Sequence, residues 1–223
     1  MGKLIEKSWK KNPKNIFNFR NIKISKPNIF QRIYRQFQIA YDNLRGLDFL
    51  KVIPVEELKL NPKIVSKGSP SGNKYLKNVL KNIKINENDS ILDIGSAKGS
   101  ALKIMLDFPF KNIHGVEISS KLAGISINNF KKINTDKVRV YNQDATYFRN
   151  YNNYKYFYLY NPFPETVLKK VLSQMNRQIK GKEIFVIYNN PICHNLMINS
   201  KFLLVEKFPD AWGNGINIYK KSF

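Results

Sequence analysis

One short turn combines the residue types that a nucleotide-like ligand would need. It has the sequence Leu92-Asp93-Ile94-Gly95-Ser96-Ala97-Lys98-Gly99-Ser100, with an apolar stretch before it and a helical pattern after it. Gly95 and Gly99 have no Cβ, so the backbone can approach a ligand closely, and Asp93 offers a negative acceptor to a cationic or hydroxyl-rich group. An acid in the turn would repel a pyrophosphate, and the Gly-x-x-x-Gly spacing differs from the GxGxxG of dinucleotide sites. The turn therefore favours a ligand other than a nicotinamide or flavin dinucleotide.

Three more polar side chains follow apolar stretches further along the chain. Glu117 follows NIHGV, Asp144 follows VRVYNQ, and Asn161 follows YFYLY and opens the segment Asn-Pro-Phe-Pro. In an open parallel sheet the ligand lies at the carboxyl ends of the strands, near the point where the strand order reverses. The glycine-rich turn after the first of these strands is therefore the expected place of the ligand. A purely local role is the alternative for each, since Asp and Asn also cap helices and shape turns.

The elements that must position these side chains alternate along the chain. Strands are predicted at 90–95, 112–117, 138–145, 156–161 and 183–188, with helices at 100–107, 120–133 and 165–179. Such alternation indicates a parallel, doubly wound sheet. Two final apolar stretches, 202–208 and 216–220, have no helical segment between them and should pair antiparallel at one edge. We therefore predict an α/β fold with a seven-stranded, mostly parallel sheet and an N-terminal helical extension.

The part of the chain before the sheet divides into two segments. Residues 1–28 carry eight cations and one acid, which predicts a basic, loosely held arm. Residues 29–70 contain apolar residues at helical spacing and predict a helical cap. A turn rich in glycine and proline then leads into the main domain, predicted over residues 71–223.

The formal net charge is +22, from 38 Lys and Arg against 16 Asp and Glu. A basic surface attracts phosphates through counterion release, so nucleic acid is one expected partner. However, 31 of the cations are Lys and only 7 are Arg, and Asn occurs 28 times. An AT-rich genome imposes this usage whatever the protein does, whereas nucleic-acid readers tend to use Arg. Charge alone does not choose between these explanations.

Several other classes of protein are disfavoured. No apolar run approaches the roughly 18 residues of a membrane span and no signal-peptide stretch begins the chain, so we expect no membrane partner and a cytoplasmic location. One cysteine and two histidines predict neither an internal disulfide nor a metal site. Cys193 and His194 are adjacent and should point apart, and His114 lies in a predicted buried strand. The aromatic residues between Tyr147 and Tyr160 could stack on bases, but packing in strands is their commoner use.

The turn LDIGSAKGS resembles the DxGxGxG turn of the Rossmann-like (class I) S-adenosylmethionine-dependent methyltransferases. The resemblance extends from about residue 67 to residue 223, and the antiparallel closing pair also suits this family. It implies S-adenosyl-L-methionine as the cofactor, with Glu117 taking both ribose hydroxyls and Asp144 accepting from the adenine amino group. The other cofactor-binding positions that it implies are Asp93, Gly95, Ala97, Gly99, Ile118, Ala145 and Asn161. Ala97 stands where the family has its middle glycine, which would be costly if the backbone there needs a positive φ.

The resemblance also implies two catalytic residues. Asn161 would accept a hydrogen bond from an acceptor amine, and Phe163 would stack against the acceptor. In NPFP the aromatic comes third, whereas enzymes that methylate amino groups of adenine or glutamine typically have Asn or Asp, two prolines and then an aromatic. The region is also similar to non-SET histone lysine methyltransferases and to small bacterial methyltransferases. N-methylation of a protein lysine or amide, a nucleic-acid base or a small molecule is therefore implied, with the acceptor left open.

Two readings from other classes compete with an enzyme of this kind. A basic Rossmann-like module could bind RNA without transferring methyl groups, but the intact acids at the strand ends argue against it. A dinucleotide-dependent oxidoreductase is disfavoured because GxGxxG is missing.

Overall fold

The computed structural model describes residues 29–58, 70–210 and 214–223. The predicted basic arm, 1–28, and part of the predicted cap, 59–69, lie outside the described residues. Helices are α1 Ile29–Leu44, α2 Lys74–Asn82, α3 Ser100–Met105, α4 Ser120–Ile133, α5 Glu165–Gln178 and α6 His194–Asn199. Strands are β1 Ser90–Ile94, β2 Asn112–Glu117, β3 Val138–Asn142, β4 Tyr156–Tyr160, β5 Glu183–Asn189, β6 Leu203–Phe208 and β7 Ile216–Ser222. Three short 3-10 turns occupy Val55–Leu58, Ala145–Tyr147 and Tyr151–Asn153.

The seven strands form one sheet in the order β3-β2-β1-β4-β5-β7-β6. β1 to β5 run parallel, and β7 lies antiparallel between β5 and β6. The predicted α/β class, the strand count and the antiparallel edge pair are therefore confirmed. Strand order reverses between β1 and β4, so the loops that follow these two strands open the crevice where such sheets bind ligands.

Both faces of the sheet are covered. Alternate residues of β1 serve different faces: Leu92 and Ile94 pack in the cluster that includes α5, while Ile91 packs with α2 and α3. All five residues of β1 are buried, as expected for a strand in the middle of a doubly wound sheet. The strand that holds Asp93 is therefore fixed by packing on both sides.

The aromatic residues of 147–160 confirm the packing interpretation with one exception. Six of them are buried in the two core clusters: Phe148, Tyr151, Tyr154, Tyr156, Phe157 and Tyr158. Tyr147 is the exception and is 70% exposed. His114 is structural, as predicted, because its Nδ1 lies 2.7 Å from the Tyr154 hydroxyl and burial lowers its pKa.

Two predicted element ends were wrong, and one helix was missed. β3 ends at Asn142 instead of 145, because the Asp144 side chain accepts from the Thr146 N–H and begins a 3-10 turn. α3 ends at Met105 instead of at 107. Helix α6 was not predicted, since its six residues are too few to show a helical period.

None of the helices in the described ranges is both long enough and apolar enough to cross a membrane.

Candidate active site

The turn between β1 and α3 has a left-handed backbone at three positions. Gly95, Ala97 and Gly99 have φ of +83°, +46° and +84°. The turn is held against β2, because the N–H groups of Gly95 and Ser96 donate to the Val116 carbonyl at 2.8 and 3.1 Å. Ala97 thus occupies a conformation in which its Cβ meets the backbone unfavourably. Of the three positions at which the turn that this segment resembles has glycine, Ala97 alone carries a Cβ, and its left-handed backbone is therefore strained.

We expect Ala97→Gly to raise the free energy of unfolding by about 0.5–1 kcal/mol. Removing the Cβ relieves about 1–2 kcal/mol of left-handed strain, from which the greater freedom of glycine in the unfolded chain subtracts about 0.4–1 kcal/mol. Urea unfolding measures the difference. The control is Ala101→Gly in α3, a buried right-handed position, which should lose about 1 kcal/mol. Equal losses in both variants would contradict a left-handed Ala97.

The two glycines of the turn are required by packing. A Cβ on Gly95 would lie 2.6 Å from the Cβ of Pro162, and a Cβ on Gly99 would lie 2.5 Å from the Phe130 ring. Gly95 therefore lets the segment after β4 approach the turn, and Gly99 lets α4 approach it. The sequence prediction had assigned both glycines to close approach of a ligand alone.

Glu117 ends β2 and holds the turn through its carboxylate. Oε2 accepts from the Ala97 N–H at 2.8 Å, and Oε1 accepts from the Ser119 N–H at 2.8 Å. The side chain is buried, and burial raises its pKa against the lowering effect of backbone N–H groups, including that of Ile118. Ile118 is half-buried. An ionised carboxylate has about four acceptor sites, so it keeps acceptor capacity beyond these bonds.

Asp93 lies beside Glu117 inside the sheet and is 2% exposed. Burial, and secondarily the charge of Glu117, raise the pKa of Asp93 well above its usual value. Two buried acids that lie close together favour the binding of a cation, which would compensate their charge, or of a hydroxyl-rich group, which would donate hydrogen bonds to them. An acid whose pKa is raised by burial and by a neighbouring charge is typical of a functional site.

We expect Asp93→Asn to stabilise the ligand-free protein towards neutral and higher pH and to weaken ligand binding. An acid whose pKa is raised by folding contributes stability below its unfolded value, near 3.9, and this contribution is lost as the pH rises through the folded pKa. Urea unfolding from pH 4 to 9 should therefore give wild type a steeper decline than Asp93→Asn. S-adenosylhomocysteine affinity, measured by titration calorimetry, should fall about tenfold or more because a charged acceptor is lost.

The matched control is Asp89→Asn. Asp89 pairs with Lys155 at 3.0 Å and accepts the Asn86 N–H at 2.9 Å, so its loss should destabilise at neutral pH and leave ligand affinity unchanged. If Asp93→Asn followed the pH dependence of wild type, Asp93 would not titrate with a raised pKa.

Asp144 lies two residues beyond β3. Its Oδ1 accepts from the Thr146 N–H at 2.7 Å and from the Thr146 hydroxyl at 2.8 Å, and both of these bonds use Oδ1. The N–H of Gln143 donates to the Glu117 carbonyl at 3.0 Å, which ties this loop to the end of β2. Ala145 is buried, and its carbonyl accepts from the Tyr151 hydroxyl at 2.7 Å. The structure thus brings Asp144 and Ala145 to the same edge as Glu117.

Asn161 directly follows β4 and has a φ of +38°, a left-handed value that is uncommon for a residue other than glycine. Its Oδ1 accepts from the Tyr188 hydroxyl at 3.3 Å, and Pro162 lies against Gly95 in the turn between β1 and α3. Asn161 and the turn are therefore neighbours across the switch point. Phe163 is half-buried and packs against the core cluster that includes α5.

Two segments of the site escaped the sequence analysis. Ser71 donates its N–H to the Ser100 Oγ at 2.9 Å, and a Cβ on Gly72 would lie 1.9 Å from the Ser100 carbonyl. Residues 71–72 therefore cover the start of α3, and the only sequence indication was a turn rich in glycine and proline.

The second missed segment follows α1 and contacts the turn between β1 and α3. Asp48 forms an ion pair with Lys98, which is almost completely buried. Asn129 of α4 accepts from the Asp48 N–H at 2.9 Å and donates to the carbonyls of Asp48 and Lys98 at 3.0 and 3.2 Å. No local pattern could have found these contacts, because they join residues up to 81 positions apart.

The other candidate residues, Cys193 and His194, do not form a reactive pair. Burial raises the pKa of the Cys193 thiol, and the His194 ring contacts the Tyr219 hydroxyl at 2.6 Å. Among the residues that the structure describes, no group of three or more His, Cys, Asp or Glu side chains could hold a metal ion.

Comparisons with other proteins agree with this geometry. Residues 71–214, more than half of the chain, match the model of a family described as ribosomal RNA adenine dimethylase. Over 117 residues the chain is 32% identical to the uncharacterized protein MJ1252 of Methanocaldococcus jannaschii, a match that covers 51% of this chain and 43% of that protein. The chain thus spans less than half the length of this curated relative.

Solved structures share the fold at low identity. The yhhF protein of Escherichia coli has a TM-score of 0.56 at 14% identity, covering 69% of this chain and 89% of that one. A SAM-dependent methyltransferase from Aquifex aeolicus has a TM-score of 0.51 at 13% identity, covering 65% and 87%. The mitomycin 7-O-methyltransferase MmcR has a TM-score of 0.54 at 11% identity, covering 67% and 53%. At these identities the likeness shows the fold alone.

Proposed function

Because the chain belongs to the ribosomal RNA adenine dimethylase family, we propose that it transfers methyl groups from S-adenosylmethionine to an adenine amino nitrogen in RNA. The family and the fold confirm the predicted resemblance to Rossmann-like S-adenosylmethionine-dependent methyltransferases and the predicted cofactor. The acceptor and the roles of individual residues are part of the proposal.

The donor set of the site fits this cofactor. Glu117 keeps acceptor capacity beside its bonds to Ala97 and Ser119, which suits a ribose hydroxyl. Asp144 uses only Oδ1 in its bonds to Thr146, which leaves Oδ2 for an amino group such as that of adenine. Asp93, buried beside Glu117, suits a cationic group. When bound, S-adenosylmethionine supplies a methyl group that is already electrophilic.

The chain then has to hold an amine lone pair in line with that group. The Tyr188 hydroxyl donates to Asn161 Oδ1 and orients the amide, which would face the acceptor amine. Phe163 packs partly in the core, so the exposed part of its ring is available to stack against a planar acceptor. The proposal rests above all on one observation. Asn161 is held at a positive φ directly beside the turn between β1 and α3, with Pro162 against Gly95. We call this turn the cofactor turn, because we propose that it holds the cofactor.

RNA adenine is the acceptor that the family description favours, and the net charge of +22 suits a polyanion. In NPFP the aromatic residue comes before the second proline and not after it. This departure from the usual order changes which side chain would lie against the acceptor. It keeps the amide and the following proline, the groups that would face the amine.

The test is methyl transfer from labelled S-adenosylmethionine to total RNA, to cell protein and to the small-molecule fraction, followed by mass spectrometry of nucleosides. We expect methylated adenosine in RNA. Label confined to protein or small molecules would overturn RNA as the acceptor. RNA binding with no label in any fraction would favour the non-catalytic RNA-binding module.

A further inference from the structure

Helix α1 exposes an apolar stripe. The stripe consists of Phe30, Tyr34, Phe37, Tyr41 and Leu44, whose side chains are 77%, 65%, 69%, 60% and 88% exposed. Ile29 and Ile33 beside it are also exposed. α1 lies before residue 71, where the match to the family begins. Single exposed apolar residues are normal, whereas a contiguous patch of this kind marks an interaction site.

The spacing of the stripe indicates a helix as its partner. Its members are separated by 4, 3, 4 and 3 residues, the a and d pattern of a coiled coil over two heptads. The flanking positions at Ile33, Gln38 and Ala40 carry no charge. Arg32 and Arg35 lie on the opposite side of the helix, where Arg35 donates to the Leu50 carbonyl at 3.4 Å.

The charges of α1 favour a copy of itself over a polyanion. The chain has 31 lysines, yet α1 contains none, and its acid, Asp42, is buried against Lys103 at 3.1 Å. A nucleic-acid platform combines aromatic rings with cations beside them, whereas Arg32 and Arg35 face away from the stripe and only the guanidinium of Arg45, directly after the helix, lies over one of its rings, that of Tyr41, at 5.5 Å from the ring centroid. Two seams with this single cation at one end repel each other little when they pair, in a chain whose net charge is otherwise strongly positive.

We propose that α1 pairs with α1 of a second copy of this chain, as an antiparallel two-helix seam about a two-fold axis at Phe37. Phe30 then faces the partner subunit's Leu44, and Tyr34 faces the partner subunit's Tyr41. The antiparallel direction places the Ile29 ends of the two helices, which strongly basic sequence precedes, at opposite ends of the seam, whereas a parallel pair would bring these ends together.

The stripe offers enough surface for this association. At about 150–250 Å² for each aromatic side chain, the exposed parts of its four rings come to roughly 500 Å² per copy. With Leu44, Ile29 and Ile33 the apolar surface is on the order of the 800 Å² per partner of a standard interface. Because one patch serves both copies, the interface closes at two chains.

Light scattering coupled to size exclusion tests the pairing with the full chain. Wild type should have twice the monomer mass at micromolar concentration, also after ribonuclease treatment and in high salt. Phe37→Glu should be a monomer, with the dissociation constant raised at least about a hundredfold because each dimer loses two buried rings. Its S-adenosylhomocysteine affinity should equal that of wild type, which reports correct folding.

The control variant is Leu203→Glu, since Leu203 is 63% exposed on β6, away from α1; it should remain dimeric. A monomeric wild type overturns the proposal. So does a stripe that binds single-stranded RNA or vesicles of anionic lipid, with Phe37→Glu losing that binding while the mass of wild type stays that of one chain.

Cysteine cross-linking tests the direction. In a Cys193→Ser background, a mixture of Phe30→Cys and Leu44→Cys chains should form a disulfide between the two kinds of chain under mild oxidation. A Phe30→Cys chain that instead cross-links with itself would overturn the antiparallel arrangement. Neither measurement uses methyl transfer, so a failure of the proposed acceptor would leave both results interpretable.

Discussion

Asn161→Ala should lower the rate of methyl transfer by about a hundredfold or more and leave S-adenosylhomocysteine affinity within a few fold of wild type. Asn161 lies at the end of β4, beside the cofactor turn but not among the acids that suit the ribose and adenine. Its amide would position the acceptor amine, and loss of a positioning contact costs rate far more than cofactor binding. Single-turnover methylation of the RNA found in the fractionation measures the rate, and titration calorimetry measures the affinity.

Two further variants separate the amide from the backbone turn. Asn161→Gly relieves the positive φ of +38° but lacks the amide, so it should lose as much rate as Asn161→Ala. Tyr188→Phe removes the hydroxyl that orients the amide at 3.3 Å and should lose less. Asn134→Ala is the control, because Asn134 is also left-handed, with φ +57°, but caps the far end of α4. A wild-type rate in Asn161→Ala would mean that NPFP only shapes a turn.

Much of the fold was accessible from the sequence because its determinants are local. The alternation of apolar strands with amphipathic helices is a short-range pattern, and it correctly gave seven strands with an antiparallel edge. The acids near the ends of β1 and β2 were found in the same way, because a polar residue at or next to the end of a strand lies near the carboxyl edge of the sheet. Glu117 is an example, since the prediction placed it at the last position of its strand, where it lies.

The rest depends on contacts between distant parts of the chain. Gly99 is required by Phe130, and Lys98 is buried by Asp48, pairs that no window of sequence contains. The end of β3 was missed for a different reason: the Asp144 side chain competes with the sheet for the Thr146 N–H. The exposure of α1 was equally inaccessible, because an amphipathic pattern predicts an apolar face but does not say what covers it.

Glu117→Ala should weaken S-adenosylhomocysteine binding by about tenfold to a hundredfold. The carboxylate would accept from the ribose hydroxyls, and hydrogen bonds to a charged group are worth about 1.5–3 kcal/mol. It also holds the N–H groups of Ala97 and Ser119, each at 2.8 Å. A loss of affinity alone would therefore not tell a ribose contact from a damaged turn.

A comparison of ligands separates these two roles. Wild type should bind the 2′-deoxy analogue of S-adenosylhomocysteine about tenfold more weakly than the parent ligand, because one hydroxyl contact is missing. Glu117→Ala should bind both ligands with nearly equal affinity, since the group that distinguishes them is gone. If Glu117 only clamped the turn, both proteins would show the same ratio between the two ligands. An unchanged ratio in titration calorimetry would therefore remove the ribose role of Glu117 and leave its contacts with Ala97 and Ser119 as its whole contribution.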